Sequence, residues 1–520
     1  MTTYTRRRFM ADVGCGMLTS SIGASTALEI GLPHLLANDS NPRVTFGSLE
    51  PLVSLMQEAT SDELLPELVN RLHSGESLRK LVAAGALANV RAFAGQDYVG
   101  YHTFMALLPA LQMSQQLPTT HQPLPVLKVL YRNSRQIQTQ QRNHQDGLPF
   151  VEAPASSQSV TGEQLQAMIR AVDWNGAEAQ FATICQGPAG EAFNHLQYAV
   201  QEEVDVHRVV LSWRSLSMLD VVGQEFAHTL LRQSVRYCLD VEQRMQQQGY
   251  SPSPIREILP QLLTKHHLMD SPVGARQATD SWISELANTI FGSSREQAAE
   301  AVAIALSEGF APENVGEAIS IAANLLVLHD PGRQQKYSTT EKPIGCVHGD
   351  SVGVHASDAA NAWRNISRYG DARNQICSLI VGAFHTAGQL AWASKDPYPY
   401  VDRLEEVVAQ DSATLVNQLA EAILDNDQAR ACAIVHRYGD LQLPLRPILD
   451  ILLKYAVSQD GALHAEKFYQ TAVEEYSTTR PAYRWRQIIA LARVTASEYG
   501  FSAPGLAEAS ELLGLKKDLG

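Results

Sequence analysis

"LQYAVQEEVDVH" over residues 196–207 and "LKYAVSQDGALH" over 453–464 put Leu, Tyr-Ala-Val and His at the same relative positions, 257 residues apart. A phrase used twice at this distance points to an internal repeat. Extending it outward gives four passages with one plan. Each begins with an amphipathic segment closed by glycine: "SDELLPELVNRLHSG" to Gly75, "NGAEAQFATICQG" to Gly187, "SREQAAEAVAIALSEG" to Gly309 and "NDQARACAIVHRYG" to Gly439. Glycine suits the left-handed position that ends helices. A more apolar segment follows, then a histidine opening a third: His102, His207, His355 and His464, at 27, 20, 46 and 25 residues from the glycine.

From residue 50 onward apolar residues recur at i, i+3, i+4 and i+7, as in "SLRKLVAAGALANVRAF" and "SATLVNQLAEAIL", while alternating strand patterns are almost absent. The expectation is an all-α, multi-helix array of about four pseudo-repeated units enclosing a central cavity. Breaks rich in Pro, Gly and Ser set the boundaries: unit 1 over 45–145, unit 2 over 160–250, a helical connector over 251–294, unit 3 over 295–393 with an inserted loop at 329–358, and unit 4 over 401–520.

The first 37 residues read differently. "TRRRFM" at Thr5–Met10, followed by a Gly-, Ser- and Ala-rich apolar stretch, resembles a twin-arginine export signal. The expected address is therefore outside the cytoplasm of a bacterium, in the periplasm or cell envelope, with the twin-arginine translocation machinery as partner. The net charge of −14, without basic clusters beyond the first ten residues, argues against nucleic acid. No later stretch has the roughly 20 apolar residues of a membrane-spanning helix. Cys185, Cys238, Cys346, Cys377 and Cys432 stand singly, as core thiols do.

Three sets of residues could carry chemistry. The four histidines of the repeat could meet at a common centre, where neutral imidazoles bind metal, relay protons or bond substrate oxygen. The inserted loop, "HDPGRQQKYSTTEKPIGCVHGDSVGVHASD", gathers His348, Asp350 and His355, a donor set suited to zinc, iron or manganese. Glu225 and His228 form an E-x-x-H pair, the i, i+3 spacing that di-iron bundles use. Trp213-Arg214 and Trp363-Arg364 follow His207 and His355 by similar distances, so Arg stacked on Trp or holding an acidic ligand is a further expectation. No dinucleotide, P-loop, haem, nucleophile-elbow or zincin motif occurs.

"YHTFMALLPAL" and "VGVHASDAANAW", with the helix-plus-His texture of 100–110, 196–235 and 345–366, resemble the questin oxidase-like helical proteins. The resemblance implies oxygen-dependent oxidation of an organic molecule. The sequence thus yields two competing expectations. One is an exported oxidoreductase acting on a small-molecule ligand, assisted by a metal ion or another cofactor, with His102, His207, His355 and His464 as its catalytic residues. The other is a non-catalytic helical scaffold or ligand-binding protein.

Overall fold

Helix starts are fixed by side-chain caps that the sequence supplies repeatedly. Thr60, Asp97, Asp205, Ser294, Ser351 and Asp427 each accept a backbone N–H from the first turn that follows, each satisfying a donor that the helix itself leaves unpaired. The computed structural model describes residues 43–154, 161–270 and 272–515; the signal segment expected over 1–37 lies outside them. Among the described residues the chain is all-helical, with no strand and two isolated β-bridges.

In chain order the helices are α1 (Glu50–Glu58), α2 (Ser61–His73), α3 (Leu78–Phe93), α4 (Tyr98–Ser114), α5 (Pro123–Thr139), α6 (Gly162–Arg170), α7 (Trp174–Ile184), α8 (Ala189–Val200), α9 (Val206–Val222) and α10 (Ala227–Gln248). The connector supplies α11 (Ile255–Lys265) and α12 (Asp280–Gly292). Then come α13 (Arg295–Ser307), α14 (Pro312–Leu328), α15 (Val352–Tyr369), α16 (Ala372–Thr386), α17 (Val401–Glu406), α18 (Ser412–Leu424), α19 (Gln428–Asp440), α20 (Arg446–Ser458), α21 (His464–Thr478), α22 (Trp485–Glu498) and α23 (Leu506–Leu512).

The four histidine-bearing helices form the centre. Helix α4 packs on α9, α9 on α15, α15 on α21 and α21 back on α4, a closed circuit. Their inner faces are almost wholly buried: Phe104, Leu211, Trp363 and Tyr469 are each no more than 0% exposed. The apolar helix before each of the four, and the helix after it, pack around this circuit, which explains why α4 and α14 are apolar on nearly every face. Residues 44–520 group as one compact unit.

Two of the glycines expected to close helices do so. Gly75 and Gly309 follow α2 and α13 with φ of +93° and +82°. Gly439 does not: it lies inside α19, and a Cβ there would sit 2.7 Å from the Trp485 ring. Its role is close approach to α22, and Gln442, at φ +52°, takes the left-handed position instead. Among the described residues no helix is long and apolar enough to cross a membrane, and all five described cysteines are free.

Candidate functional site

Capping places the histidines. Asp97, Asp205 and Ser351 start α4, α9 and α15 so that His102, His207 and His355 fall in or just after the first turn. Helix α21 starts at His464 itself and has no side-chain cap. It is preceded by Gly461, Ala462 and Leu463 at φ of +49°, +48° and +66°. Left-handed backbone costs a residue with a Cβ roughly 1–2 kcal/mol, and such strain persists where the surroundings enforce it, often at functional sites. Here it turns the Ala462 carbonyl back to accept the His464 Nδ1–H at 3.1 Å.

The four rings meet in the same circuit as their helices. Centroid separations are 4.8 Å for His102–His207, 5.5 Å for His207–His355, 5.2 Å for His355–His464 and 5.1 Å for His464–His102. Their hydrogen-bond partners fix the tautomers. A carbonyl can only accept, so the contact of His102 Nδ1 with the Tyr98 carbonyl at 2.7 Å places the proton on Nδ1, as at His464. That leaves Nε2 of His464 a bare acceptor, and the 3.1 Å contact between it and His355 Nε2 requires His355 to donate. Burial holds His102, His355 and His464 well below the usual imidazole pKa, with Lys467 adding to the effect at each, so these three rings are neutral.

His207 is set apart by a carboxylate. Its Nδ1–H donates to Asp205 Oδ1 at 3.1 Å, and Asp205 Oδ2 accepts the Tyr237 hydroxyl at 2.5 Å. Burial alone would raise the Asp205 pKa, but the bonds from His207 and Tyr237 outweigh it and hold this carboxyl well below its ordinary range. Nε2 of His207 and of His102 are buried without a partner. Tyr98 and Tyr101 pack their rings against both histidines at 4.4–5.4 Å.

Beside the ring lies a narrow recess, too tight to hold a water molecule, lined by Met105, Val206, His207, Val210, His355, Asp358 and Lys467. Four of these, Met105, Val210, Asp358 and Lys467, stand three residues after the four histidines in order. Residues i and i+3 share a helix face, so they form a second layer beneath the ring, half apolar and half charged. Asp358 accepts from Thr471 Oγ1 at 2.8 Å through Oδ1, while Oδ2 is buried without a partner.

The other expected sites are not assembled in this way. His348 spends both ring nitrogens on structural bonds, Nδ1 with Ser497 Oγ of α22 at 2.9 Å and Nε2 with the Glu341 carbonyl of the loop at 3.0 Å. Asp350 accepts from Arg333 at 2.5 Å and Lys342 at 2.7 Å. The loop is thus pinned by its own polar groups and by Ser497 of α22, which also accepts the Val347 N–H, and of the set His348, Asp350 and His355 only His355, already inside α15, joins the ring. Glu225 is exposed in a short 3-10 turn ahead of α10, because Gly223, at φ +120°, breaks the helix before it. His228 packs on Phe181, with its pKa pushed down to about 4 by burial. The pair therefore shares no helix face. Among the described residues no group of three or more His, Cys, Asp or Glu is arranged to hold a metal ion; the ring itself uses a proton on His355 Nε2 to bridge to His464.

Arg364 does not stack on Trp363 but bonds Glu475 and Glu313, and Trp363 donates to His385 Nδ1 at 3.2 Å. Sequence reasoning passed over Asp205, Tyr237 and Lys467. The first and last had a signal: an N-cap aspartate two residues before His207, and the i+3 position after His464. Tyr237, from a different helix, had none. Comparison with protein-family models, curated proteins and solved structures finds no match to this chain.

Proposed function

We propose that this protein is an exported enzyme acting on a small organic molecule, with the four-histidine ring as its reactive centre and His207 as its general base. The observation that carries the reading is the Tyr237–Asp205–His207 relay, which leaves the Nε2 lone pair of His207 unpaired at the edge of a recess. A carboxylate behind an imidazole orients the ring, fixes its tautomer and stabilises the imidazolium that forms when Nε2 takes a proton. The neutral rings of His102, His355 and His464 sit within one ring width, so a proton taken at His207 has acceptors at hand. Removing a proton from an O–H or activated C–H is the step these side chains supply to an oxidation. The electrons would pass to dioxygen or to a cofactor, in keeping with the oxidoreductase class that the resemblance to questin oxidase-like proteins implies.

The test is His207→Gln, with Asp205→Asn beside it, assayed by oxygen uptake and substrate loss on the purified full chain. Both variants should keep the wild-type circular dichroism spectrum, and general-base loss should lower turnover by about 10²–10⁴-fold. Turnover unchanged in His207→Gln would remove the reading. The export half is tested separately: Arg6→Lys with Arg7→Lys should hold the protein in the cytoplasm.

A competing reading, a non-catalytic scaffold, draws on the close packing of Tyr98 and Tyr101 against the histidines. It expects the reverse pattern, with ring substitutions costing stability and no substrate turned over by the wild type.

A further inference from the structure

Two buried carboxyls face one lysine below the turn that leads into α21. Lys128 of α5 donates to the Ala456 and Gln459 carbonyls at 3.0 and 2.6 Å and pairs with Glu466 at 2.7 Å. Its three ammonium protons are thereby spent. Glu498, the second carboxyl, is 4% exposed, and its Oε1 is buried without a hydrogen-bond partner. The charged groups that face it come from three elements: Lys128 of α5, Glu466 of α21 and Asp460 of the turn. Asp460 has its own cation in Arg132. Glu498 alone is left without one.

The two carboxyls also sit at opposite helix poles. Glu466 lies in the first turn of α21, where unpaired N–H groups favour a negative charge, whereas Glu498 is the last residue of α22, where unpaired carbonyls disfavour one. A buried carboxyl with no counter-charge keeps its proton. Burial, with Glu466 and Asp460 adding to it against the pull of Lys128, pushes the Glu498 carboxyl up to about 8.

Glu498 touches the strained turn before His464. An added Cβ on Gly461 would collide with its Oε1, so the carboxyl fills space that only glycine leaves open. The Gln459 side-chain carbonyl accepts the N–H groups of Gly500 and Phe501 at 2.9 and 3.0 Å, and the Asp460 N–H donates to the Phe501 carbonyl at 2.7 Å. The end of α22 is thereby stitched to the turn, and the turn aims the Ala462 carbonyl at His464.

We infer that Glu498 is a proton-held latch: as a neutral acid it seats the Gly461–Leu463 turn, and His464 with it, and on giving its proton to solvent it unseats both. Ionised, it would put a third negative charge beside Glu466 and Asp460 while both nearby cations are engaged. The left-handed turn, already strained, is the part that yields. The latch makes the histidine ring sensitive to alkaline pH. Its bearing on turnover rests on the ring being the reactive centre; its hold on the position of His464 does not.

The experiment is an infrared titration of the full chain from pH 7 upward, with nitrogen-15 NMR of the histidines alongside. The difference between wild type and Glu498→Gln, which copies the neutral acid, isolates this carboxyl from other buried ones such as Asp358. A protonated-carboxyl band should be present at pH 7 and vanish with a midpoint near 8. The His464 signals should move with that midpoint in the wild type and in Lys467→Met, which removes the other group that titrates there, and stay still in Glu498→Gln. No such band at pH 7, or His464 moving alike in wild type and Glu498→Gln, would overturn the latch. If Glu498→Gln does not fold, carbon-13 NMR of wild type with labelled glutamate carboxyls decides instead, and no glutamate titrating near 8 would overturn it equally. The band and the His464 shift without any turnover by the wild type would leave the latch standing and remove the proposed catalysis. Turnover lost in His207→Gln with no such band would do the opposite.

Discussion

Helices α15 and α21 carry polar clusters at both ends, and the two ends are built on opposite principles. Toward their C-termini, Arg364 of α15 donates to Glu475 of α21 at 2.5 Å, Glu475 also accepts from Asn361 at 2.8 Å and Ser320 at 2.6 Å, and Gln487 links Ser320 to Asn324. Almost every donor and acceptor there has a partner, Arg364 Nε and Asn324 Oδ1 excepted. At the N-terminal end the same two helices bring His355 and His464 together beside Lys467 and Asp358, where Nε2 of His102, Nε2 of His207 and Oδ2 of Asp358 are buried without a hydrogen-bond partner. A satisfied network locks helices in register. An unsatisfied one adds nothing to folding and implies work with something not part of the chain.

That contrast breaks most visibly at Glu475. Replacing it with Ala strands the Arg364 guanidinium, which is 1% exposed, although Glu313 keeps a hold on it. Removing one member of a buried pair costs about 3–5 kcal/mol; urea unfolding should show that loss, and a loss below about 1 kcal/mol would mean the network does not hold the bundle. The reverse sign is expected at the other end. The Lys467 pKa falls from an unfolded value of 10.5 to about 8. A depressed ammonium binds fewer protons folded than unfolded, so its contribution to stability is present above pH 10.5 and is lost as pH falls through 8. Lys467→Met should therefore be more stable than wild type near pH 7, by about 1–4 kcal/mol, with the gap closing between pH 8 and 10.5. Thermal unfolding of both proteins across that range measures it.

The two ends also differ in how far the sequence disclosed them. The histidines at the N-terminal end were legible because periodicity fixes which residues share a helix face, and the phrase at 196–207 and 453–464 marked where each face begins. Even the second layer was implicit in the i+3 positions. The network around Glu475 was not legible, since its members come from α14, α15, α21 and α22 and only packing joins them. For the same reason His348 and Asp350 misled: a dense polar loop looks like a ligand set until Ser497, Arg333 and Lys342 are seen to occupy it. Glu225 and His228 failed at a finer level, because a helix start two residues further on undoes an i, i+3 argument.

A smaller effect probes how α15 is seated. Gly353 lies against the backbone of α14, where a Cβ would come within 2.6 Å of Val327 Cα. Gly353→Ala should cost about 1–3 kcal/mol through that overpacking and push the first turn of α15, His355 with it, away from His464. If the ring is where the chemistry occurs, turnover should fall further than stability alone explains; a scaffold would show only the stability loss in a denaturant titration.

The finest test concerns single protons. The carbonyls of Tyr98 and Ala462 require His102 and His464 to carry hydrogen on Nδ1, and the 3.1 Å contact with His464 then requires His355 to carry it on Nε2. Nitrogen-15 NMR distinguishes the two tautomers, so the ring should show two Nδ1–H imidazoles and one Nε2–H among these three. None of them should titrate near the ordinary histidine value of about 6.5, because burial disfavours the charged form at each. His355→Gln keeps an amide donor for His464 and should change stability by about 1 kcal/mol or less, yet it removes the one ring that donates inward. A cluster serving only to pack would tolerate that exchange without consequence. A proton relay would not: turnover should fall in the variant, while burial still keeps His464 neutral.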